Sequence, residues 1–481
     1  MTTANSNETT WLGISELQHE IGQGTLSASA VVDSFLSRIE RLDPTLQAYS
    51  VLWPERARAR ARELDEASTG GEPLGALHGI PIALKDLCDV AGEPTRAGTT
   101  ALGSVPATEN SEVVDRLEAA GAIILGKTKM TEGAFVTHHE SVEPPVNPWN
   151  KDRWTGISSS GSGVCVSGGL ATAALGTDTG GSIRYPSAAC GLTGLKPTHG
   201  RVSLRGVFPL ADSLDHIGPM AHSADDASRL FSALCGHDPK DPWSLAHNPS
   251  VATASALVPS MRGLQIGFDV GYCEDGVDPE ITRAVRDALD VFRGLGAEVV
   301  EFALPSLDEV MSAWVFLGSA EIATSHAETY ASKKEEYGAA LAETIEAGLS
   351  VSGRDVAQAW KTRLAFSRRL EGCFVGDSAT CPAGAPEGLD AIIAPVIPGR
   401  FPANTNLSDV ASMPEVALAM RFTSPFNLSG SPSLTLPCGF DVDGAPIGMQ
   451  LVGAHRDESR LLAFGSSFQS ATEYHHRHPD L

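Results

Sequence analysis

Apolar residues near the N-terminus recur with the period of an α-helix. Five of them are spaced three or four positions apart: Val32, Phe35, Leu36, Ile39 and Leu42. This spacing predicts a helix that Asp43-Pro44 should end. Ser15, with Gln18 three residues later, has the pattern of a capping box and predicts the start of an earlier, shorter helix. The N-terminal region, residues 1–75, is therefore expected to be helical.

Beyond this region, short apolar runs alternate with helical patterns. Strands are predicted over residues 79–86, 264–268, 297–302 and 390–395. Helices are predicted over residues 223–235, 281–295 and most of 307–374. This alternation is typical of the α/β class, with a central mixed, mostly parallel β-sheet covered by helices on both faces. No repeat and no linker divides the 481 residues, which predicts a single large domain.

Charge and cysteine usage restrict the partners more than the fold. The formal charge is −24, and an acidic surface repels nucleic acid and anionic membranes. The eight cysteines form no CxxC pair, so neither a zinc site nor a disulfide framework is expected. The sequence has no signal-peptide pattern and no apolar run of membrane-spanning length. These features predict a cytoplasmic protein without a metal, a nucleic-acid partner or a membrane partner.

Residues 156–200 are dominated by serine, glycine and other small residues. Such a segment contributes few large side chains to a core. Ser158 and Ser182 stand out within it, 24 positions apart. Ser182 follows Gly180-Gly181, and glycines let a backbone approach a ligand closely.

The strand predicted at residues 79–86 carries a lysine near its inner end. Most lysines lie on solvated surfaces, whereas Lys85 follows a run of apolar residues. Burial disfavours the ammonium form and lowers the pKa of a lysine, so Lys85 is a candidate base near pH 7. An exposed lysine at a strand end is the alternative that these residues leave open.

Three other patterns match known sites by residue type only. Residues 121–128 fit the phosphate-loop pattern GxxxxGK[ST], but their apolar variable positions predict a strand, so no nucleotide site is expected. His138, His139 and Glu140 are adjacent and lack a further ligand at helical spacing, so no metal site is expected. Three C-terminal histidines are interpreted as a solvated tail: His475, His476 and His478.

A serine hydroxyl needs a base before it acts as a nucleophile. A histidine base is not favoured, because the nucleophile elbow GxSxG is absent and no histidine is singled out. Lys85, Ser158 and Ser182 would supply the alternative, a Ser–Ser–Lys arrangement. A non-catalytic binding protein has no need of all three residues, which argues against that class.

Several long motifs resemble the amidase signature hydrolases. The resemblance rests on segments in order along the chain: residues 79–86, 155–163, 176–203, 213–221, 422–440 and 446–453. It implies the amidase signature fold, with a signature core over residues 76–230. Residues 231–481 would then form a helical substrate-side region and C-terminal strands. The resemblance also implies amide hydrolysis without a cofactor.

The resemblance assigns roles residue by residue. Ser182 would attack the substrate carbonyl, Ser158 would relay its proton, and neutral Lys85 would be the base. An acyl-enzyme on Ser182 would then be hydrolysed by water. The oxyanion hole would consist of backbone N–H groups, those of Thr179, Gly180, Gly181 and Ser182.

The chain departs from the family's commonest pattern beside the relay serine. Ile157 and Ser160 stand where the family most often has glycine, which indicates a sub-branch and limits the transfer of substrate preference. In the family the peptide bond before the relay serine is cis, so the Ile157–Ser158 bond is predicted to be cis.

Four polar residues of the motifs are interpreted as structural. Asp178 and Arg184 are predicted to form a buried ion pair rather than to bind a substrate carboxylate. Asn427 and Gln450 are predicted to satisfy backbone groups.

The function hypotheses differ in the substrate. The leading one is a serine hydrolase that cleaves the C–N bond of a small apolar or aryl amide. The alternatives are a carbamate (urethane) hydrolase with the same three residues and a glutaminase subunit of an amidotransferase complex. Three regions would supply pocket residues: the loop 131–149, the helix around Trp314 and Phe316, and the segment 395–426. No single substrate-binding residue follows from the sequence, and a homodimer is left open.

Overall fold

The computed structural model of the chain describes residues 9–69, 74–246, 260–377, 379, 388–405 and 414–481. Its N-terminal region consists of α1 (Ile14–Gln23), α2 (Ala28–Leu46), β1 (Tyr49–Leu52) and α3 (Pro54–Thr69). The apolar residues that predicted α2 face the core: Val32, Phe35, Leu36 and Ile39 are buried, and Leu42 packs against them. The predicted helical character of this region is confirmed.

The predicted start of α1 is wrong by two residues, and its cap differs. The helix begins at Ile14, before Ser15, and Gly13 precedes it. The Gly13 N–H donates to the Glu16 carboxylate at 2.9 Å, and the Ile14 N–H donates to Asp226 at 2.7 Å. Because Asp226 lies far away in sequence, local patterns could not indicate this cap.

The predicted end of α2 is also wrong. The helix continues through Pro44 to Leu46. Pro44 lacks the N–H that would bond to the Glu40 carbonyl, yet only two further residues of the helix follow it. Gln47 ends the helix instead, in the left-handed conformation with φ 57°, and its N–H donates to the Asp43 carbonyl.

The signature core alternates strands and helices. In chain order its elements are β2 (Pro81–Lys85), α4 (Glu112–Ala119), β3 (Ile123–Thr128), α5 (Ser160–Ser167), β4 (Ala173–Thr177), α6 (Arg184–Ala189), β5 (Thr193–Lys196), β6 (Ile217–Ala221) and α7 (Ala224–Leu234). The predicted strand at 79–86 and helix at 223–235 are confirmed. β3 occupies most of residues 121–128, so the phosphate-loop pattern is a strand, as predicted.

The second half continues this alternation and adds a block of helices. Its first elements are β7 (Gln265–Phe268), α8 (Val270–Glu274), α9 (Pro279–Gly294) and β8 (Glu298–Glu301). The helical block consists of α10 (Val310–Ser325), α11 (Ala327–Lys333), α12 (Ala339–Leu349) and α13 (Gly353–Val375). The last elements are β9 (Ala391–Pro395), α14 (Pro414–Leu428), β10 (Ser433–Phe440), β11 (Pro446–Val452) and α15 (Glu458–Ser470).

Within the described ranges, eleven strands form one sheet in the order β1-β3-β2-β4-β6-β5-β10-β11-β9-β7-β8. The α/β class and the mixed central sheet between helices are confirmed. Parallel pairing is concentrated in two blocks, β3-β2-β4 and β9-β7-β8. The strands between them pair antiparallel, as does the edge strand β1 with β3. The short connection between β10 and β11 requires this direction for that pair.

The prediction of a solvated histidine tail is wrong for two of its three members. His478 stacks on Trp11 with ring centroids 3.9 Å apart, and His475 is partly buried, whereas His476 is exposed. An aromatic surface near the N-terminus therefore holds this segment, which the sequence could not show. Among the described helices, none combines the length and apolar character needed to cross a membrane.

Candidate active site

The base candidate and the relay candidate are in direct contact. Lys85 is the last residue of β2 and is fully buried. Its Nζ lies 2.7 Å from Ser158 Oγ and 2.7 Å from Thr177 Oγ1. Lys85 and Thr177 end neighbouring parallel strands, β2 and β4, and the carboxyl ends of such strands meet at one edge of a sheet.

Burial changes the protonation of Lys85. Removal from water lowers its pKa to about 7, and the negative charges of Asp215 and Asp178 oppose this effect. The amine is therefore substantially neutral at pH 7 and able to accept a proton. Its two partners, Ser158 and Thr177, are hydroxyls that carry no compensating charge.

Ser158 lies two residues before the start of α5. It is fully buried, and the Ile157–Ser158 peptide bond is cis, as predicted. The Ser158 carbonyl accepts a hydrogen bond from the Thr131 N–H at 3.3 Å. This contact links the relay candidate to the loop 131–149.

Ser182 lies in the turn between β4 and α6. It is partly exposed, unlike buried Ser158 and Lys85, so a substrate can reach it. No hydrogen bond joins the Ser182 hydroxyl to Ser158 in the described part of the chain. The structure thus brings Lys85 and Ser158 into contact and leaves the Ser182 hydroxyl without a bond to either.

The buried ion pair predicted for Asp178 and Arg184 is confirmed. Arg184 Nη2 lies 2.9 Å from Asp178 Oδ1, and both side chains are fully buried. Burial alone would raise the pKa of Asp178, but the charge and hydrogen bonds of Arg184 hold it well below its usual value. The Asp178 carboxylate also accepts the N–H groups of Gly181 at 2.8 Å and Ile183 at 3.1 Å. The pair therefore fixes the backbone on both sides of Ser182.

The predicted structural roles of Asn427 and Gln450 are also confirmed. Asn427 Nδ2 donates to the Asp178 carbonyl at 2.8 Å, and its Oδ1 accepts from Arg184 at 2.6 Å. Gln450 Nε2 donates to the carbonyls of Phe422 at 2.7 Å and Pro395 at 3.0 Å. The C-terminal motifs thus hold the Asp178–Arg184 pair in place.

Several residues that surround this turn were given no individual role from the sequence, although the helix around Trp314 was expected to supply pocket residues. Thr177 contacts Lys85, as described above. Thr179 Oγ1 donates to Asp215 Oδ1 at 2.5 Å, and burial raises the pKa of Asp215 to about 7. Trp314 Nε1 donates to the Thr179 carbonyl at 2.9 Å. Asp215 lies inside a motif that carries the resemblance, whereas Trp314 lies on a helix expected to supply pocket residues, and its contact with Thr179 was not predicted.

The adjacent histidines do not form a metal site. His138 Nε2 lies 3.0 Å from Ser160 Oγ, and burial lowers the pKa of His138 to about 4. His139 contacts Ser141 instead. In the described residues, no group of three or more His, Cys, Asp and Glu side chains is placed to hold a metal ion.

Apolar side chains lie close to the cis peptide. Ile157 belongs to a buried cluster with Trp154, Tyr185 and other residues, and Val136 and Ile397 pack against it while partly exposed. The loop 131–149 and the start of the segment 395–426 therefore meet beside Ser158. Residues 406–413 of that segment lie outside the described residues.

Comparisons with known proteins find relatives over almost the whole chain. The family model described as Amidase matches residues 30–462. The putative amidase AmiD of Mycobacterium tuberculosis (strain ATCC 25618 / H37Rv) is 38% identical over 470 residues, which cover 97% of this chain and 96% of AmiD. A glutamyl-tRNA(Gln) amidotransferase subunit of Chloroflexus aurantiacus (strain ATCC 29366 / DSM 635 / J-10-fl) is 36% identical, with 98% of each chain covered. A solved structure from work on the origins of an s-triazine catabolic enzyme matches with a TM-score of 0.86 and 31% identity, over 95% of this chain and 98% of the other.

Proposed function

The chain belongs to the amidase family of amide hydrolases, and we propose that it cleaves the C–N bond of a small apolar or aryl amide through an acyl-enzyme on Ser182. The observation that carries the proposal is the 2.7 Å contact between Lys85 Nζ and Ser158 Oγ. It lies in a fully buried site where the pKa of Lys85 falls to about 7. A neutral amine beside a buried hydroxyl is able to act as a base at physiological pH.

The reaction begins when Ser182 Oγ attacks the amide carbonyl. The Ser182 proton passes to Ser158 Oγ as the Ser158 proton passes to Lys85 Nζ. Collapse of the tetrahedral intermediate breaks the C–N bond, and the same two groups return a proton to the departing nitrogen. Water then attacks the acyl-enzyme by the same relay and releases the acid and free Ser182.

Backbone N–H groups of the turn stabilise the oxyanion of the intermediate. Thr179, Gly180, Gly181 and Ser182 are the candidates. The Gly181 N–H already donates to Asp178 at 2.8 Å, which favours the other three as donors. The rigid hold of Asp178 on the turn fits a preorganised site.

The preference for an apolar or aryl substrate is supported by the surroundings of Ser158. Val136 and Ile397 are partly exposed beside buried Ile157. An apolar group placed against these side chains would be removed from water, which favours its binding.

A second candidate function is that of an amidotransferase glutaminase subunit. The 36% identity with the glutamyl-tRNA(Gln) amidotransferase subunit over almost the whole chain favours it. A stable complex with a second, different subunit in the source cell, and glutamine hydrolysis that depends on it, would distinguish this function. A carbamate hydrolase would use the same three residues and differs only in the substrate.

The test is hydrolysis of a panel by purified protein: an aliphatic amide, an anilide, an aryl carbamate, an ester and glutamine. We expect anilide turnover that is lost in S182A and S158A. S167A is the matched control, because Ser167 lies on α5 with a buried hydroxyl that has no hydrogen-bond partner among the described residues. Activity that survives in S182A would place the nucleophile elsewhere.

A further inference from the structure

Trp314 joins the helical block to the turn that carries Ser182. It lies in the second turn of α10, and its side chain is partly buried. Its indole N–H donates to the Thr179 carbonyl at 2.9 Å. The neighbouring side chains on this helix, Val315 and Phe316, are exposed, so Trp314 is the one of the three that reaches the turn.

The contact determines the direction of a backbone N–H group. In a planar trans peptide, the carbonyl and the N–H of the next residue point in opposite directions. Since the Thr179 carbonyl points at Trp314, the Gly180 N–H points away from the indole. The next carbonyl, that of Gly180, accepts from Thr423 Oγ1 at 2.5 Å, and the N–H of that peptide donates to Asp178. Each of these two peptide units is therefore held by a side chain outside the turn.

The indole also fits the absence of a side chain at residue 180. A Cβ on Gly180 would lie 2.5 Å from Cζ2 of Trp314, which is far inside van der Waals contact. The buried Ser424 hydroxyl, which lacks a hydrogen-bond partner among the described residues, lies 3.4 Å from the same point. Trp314 and Gly180 are thus complementary in shape as well as joined through the Thr179 carbonyl.

We propose that Trp314 is a positioning residue for amide hydrolysis: its indole holds the Thr179–Gly180 peptide so that the Gly180 N–H faces the oxyanion formed at Ser182. This inference rests on the proposed function, because it requires an acyl transfer at Ser182. It adds a side chain from the helical block to the residues that would act in hydrolysis at Ser182. A positioned N–H strengthens the binding of the transition state more than that of the substrate.

The test compares W314F with wild type on the best substrate of the panel. Phenylalanine keeps an aromatic ring but removes the N–H and the ring atoms next to Gly180. Loss of an oxyanion donor lowers kcat by about 10²–10³-fold, and a displaced donor should cost less, so we expect about a 10- to 100-fold lower kcat. KM should change little, and an arylboronic acid that mimics the tetrahedral intermediate should bind W314F more weakly by a factor similar to the loss in kcat/KM.

W53F is the matched control. The Trp53 indole nitrogen is buried without a hydrogen-bond partner in the described residues, so its replacement should leave kcat and boronate binding unchanged. Two further variants test the shape of the contact between Gly180 and Trp314. G180A should have a lower kcat than wild type. In G180A/W314F the fold-loss in kcat should be smaller than the product of the fold-losses in the two single variants. Thermal unfolding of each variant identifies any that fail to fold.

The possible outcomes separate the two proposals. A folded W314F with wild-type kcat and boronate affinity overturns the role of Trp314 and leaves the proposed function intact. An equal effect of W53F would overturn it too, because a general loss of packing would then explain both. Wild-type activity that persists in S182A overturns the proposed function and the role of Trp314 with it.

Discussion

Two buried lysines end adjacent parallel strands, yet they have different surroundings. Lys85 ends β2 and Lys127 is the penultimate residue of β3, and both side chains are fully buried. Lys127 Nζ lies 3.2 Å from the buried carboxylate of Asp86. Lys85 Nζ contacts only the hydroxyls of Ser158 and Thr177 within hydrogen-bond distance among the described residues.

The difference bears on the proposed role of Lys85 as the base. Lys127 Nζ lies 3.2 Å from a buried carboxylate, and a buried pair of this kind is part of the scaffold. Hydroxyl partners leave the desolvation of Lys85 largely uncompensated, and its pKa falls to about 7. The same residue type in the same sheet thus contacts a carboxylate at one strand end and, at the next, only hydroxyls, which suits the proposed base.

The largest expected effect is the loss of activity in K85M. Methionine fills a similar volume without an amine, so the proton relay loses its acceptor. General acid–base catalysis contributes about 10²–10⁴-fold, and we expect kcat/KM to fall toward the upper end of this range. The melting temperature should not fall, since a desolvated amine is removed. Activity close to wild type in K85M would show that Lys85 is not the base.

K127M should have the opposite effects: a loss of stability and little change in catalysis. Removal of one partner of a buried ion pair typically costs about 3–5 kcal/mol, because Asp86 would remain buried and unpaired. We expect a large loss in the free energy of unfolding, measured with urea, and a nearly unchanged kcat in the folded fraction. D86N/K127M should recover part of the stability. If K127M were inactive while as stable as wild type, the two lysines would not differ as described.

The pH dependence of catalysis tests the protonation of Lys85. Since the amine must be neutral, kcat/KM should rise with pH through about 7 and level off above it. The charge of Asp215 raises the pKa of Lys85, so D215N should move the rising limb to lower pH. D152N is the matched control, because Asp152 is an exposed carboxylate that is not among the charges acting on Lys85 or Asp215. A profile that is flat from pH 5 to 9 would contradict the role of Lys85.

The smallest expected effect concerns His222 and His478, two partly buried histidines beside Trp11. Burial lowers the pKa of His222 to about 3 and that of His478 to about 4. The unfolded chain takes up these protons below about pH 6.5 and the folded chain does not, so stability should fall as the pH drops from about 6.5 to about 4. H478F keeps the stack on Trp11 and removes one titrating group, which should make the slope of unfolding free energy against pH shallower. An unchanged slope would show that His478 is not one of the responsible groups.

Local patterns were sufficient for the main elements of the fold. Apolar periodicity predicted α2, and a short apolar run predicted β2. Both signals depend only on the spacing of apolar residues within a short stretch of the chain. Two predicted helix boundaries were wrong, the start of α1 and the end of α2. Asp226, from a distant helix, caps α1, and α2 continues for two residues beyond Pro44.

The sequence by itself also determined the candidate chemistry: Lys85 after a buried strand, Ser158 and Ser182 within a glycine-rich segment, and the motifs that resemble a known family. Only the tertiary structure decided that hydroxyls rather than a carboxylate surround Lys85 Nζ, since its partners Ser158 and Thr177 lie 73 and 92 positions away. The tertiary structure likewise decided that Trp314 contacts the Thr179 carbonyl, 135 positions away in sequence. A pKa and the direction of a peptide N–H depend on what surrounds a group in space, and the order of residues along the chain does not contain that information locally.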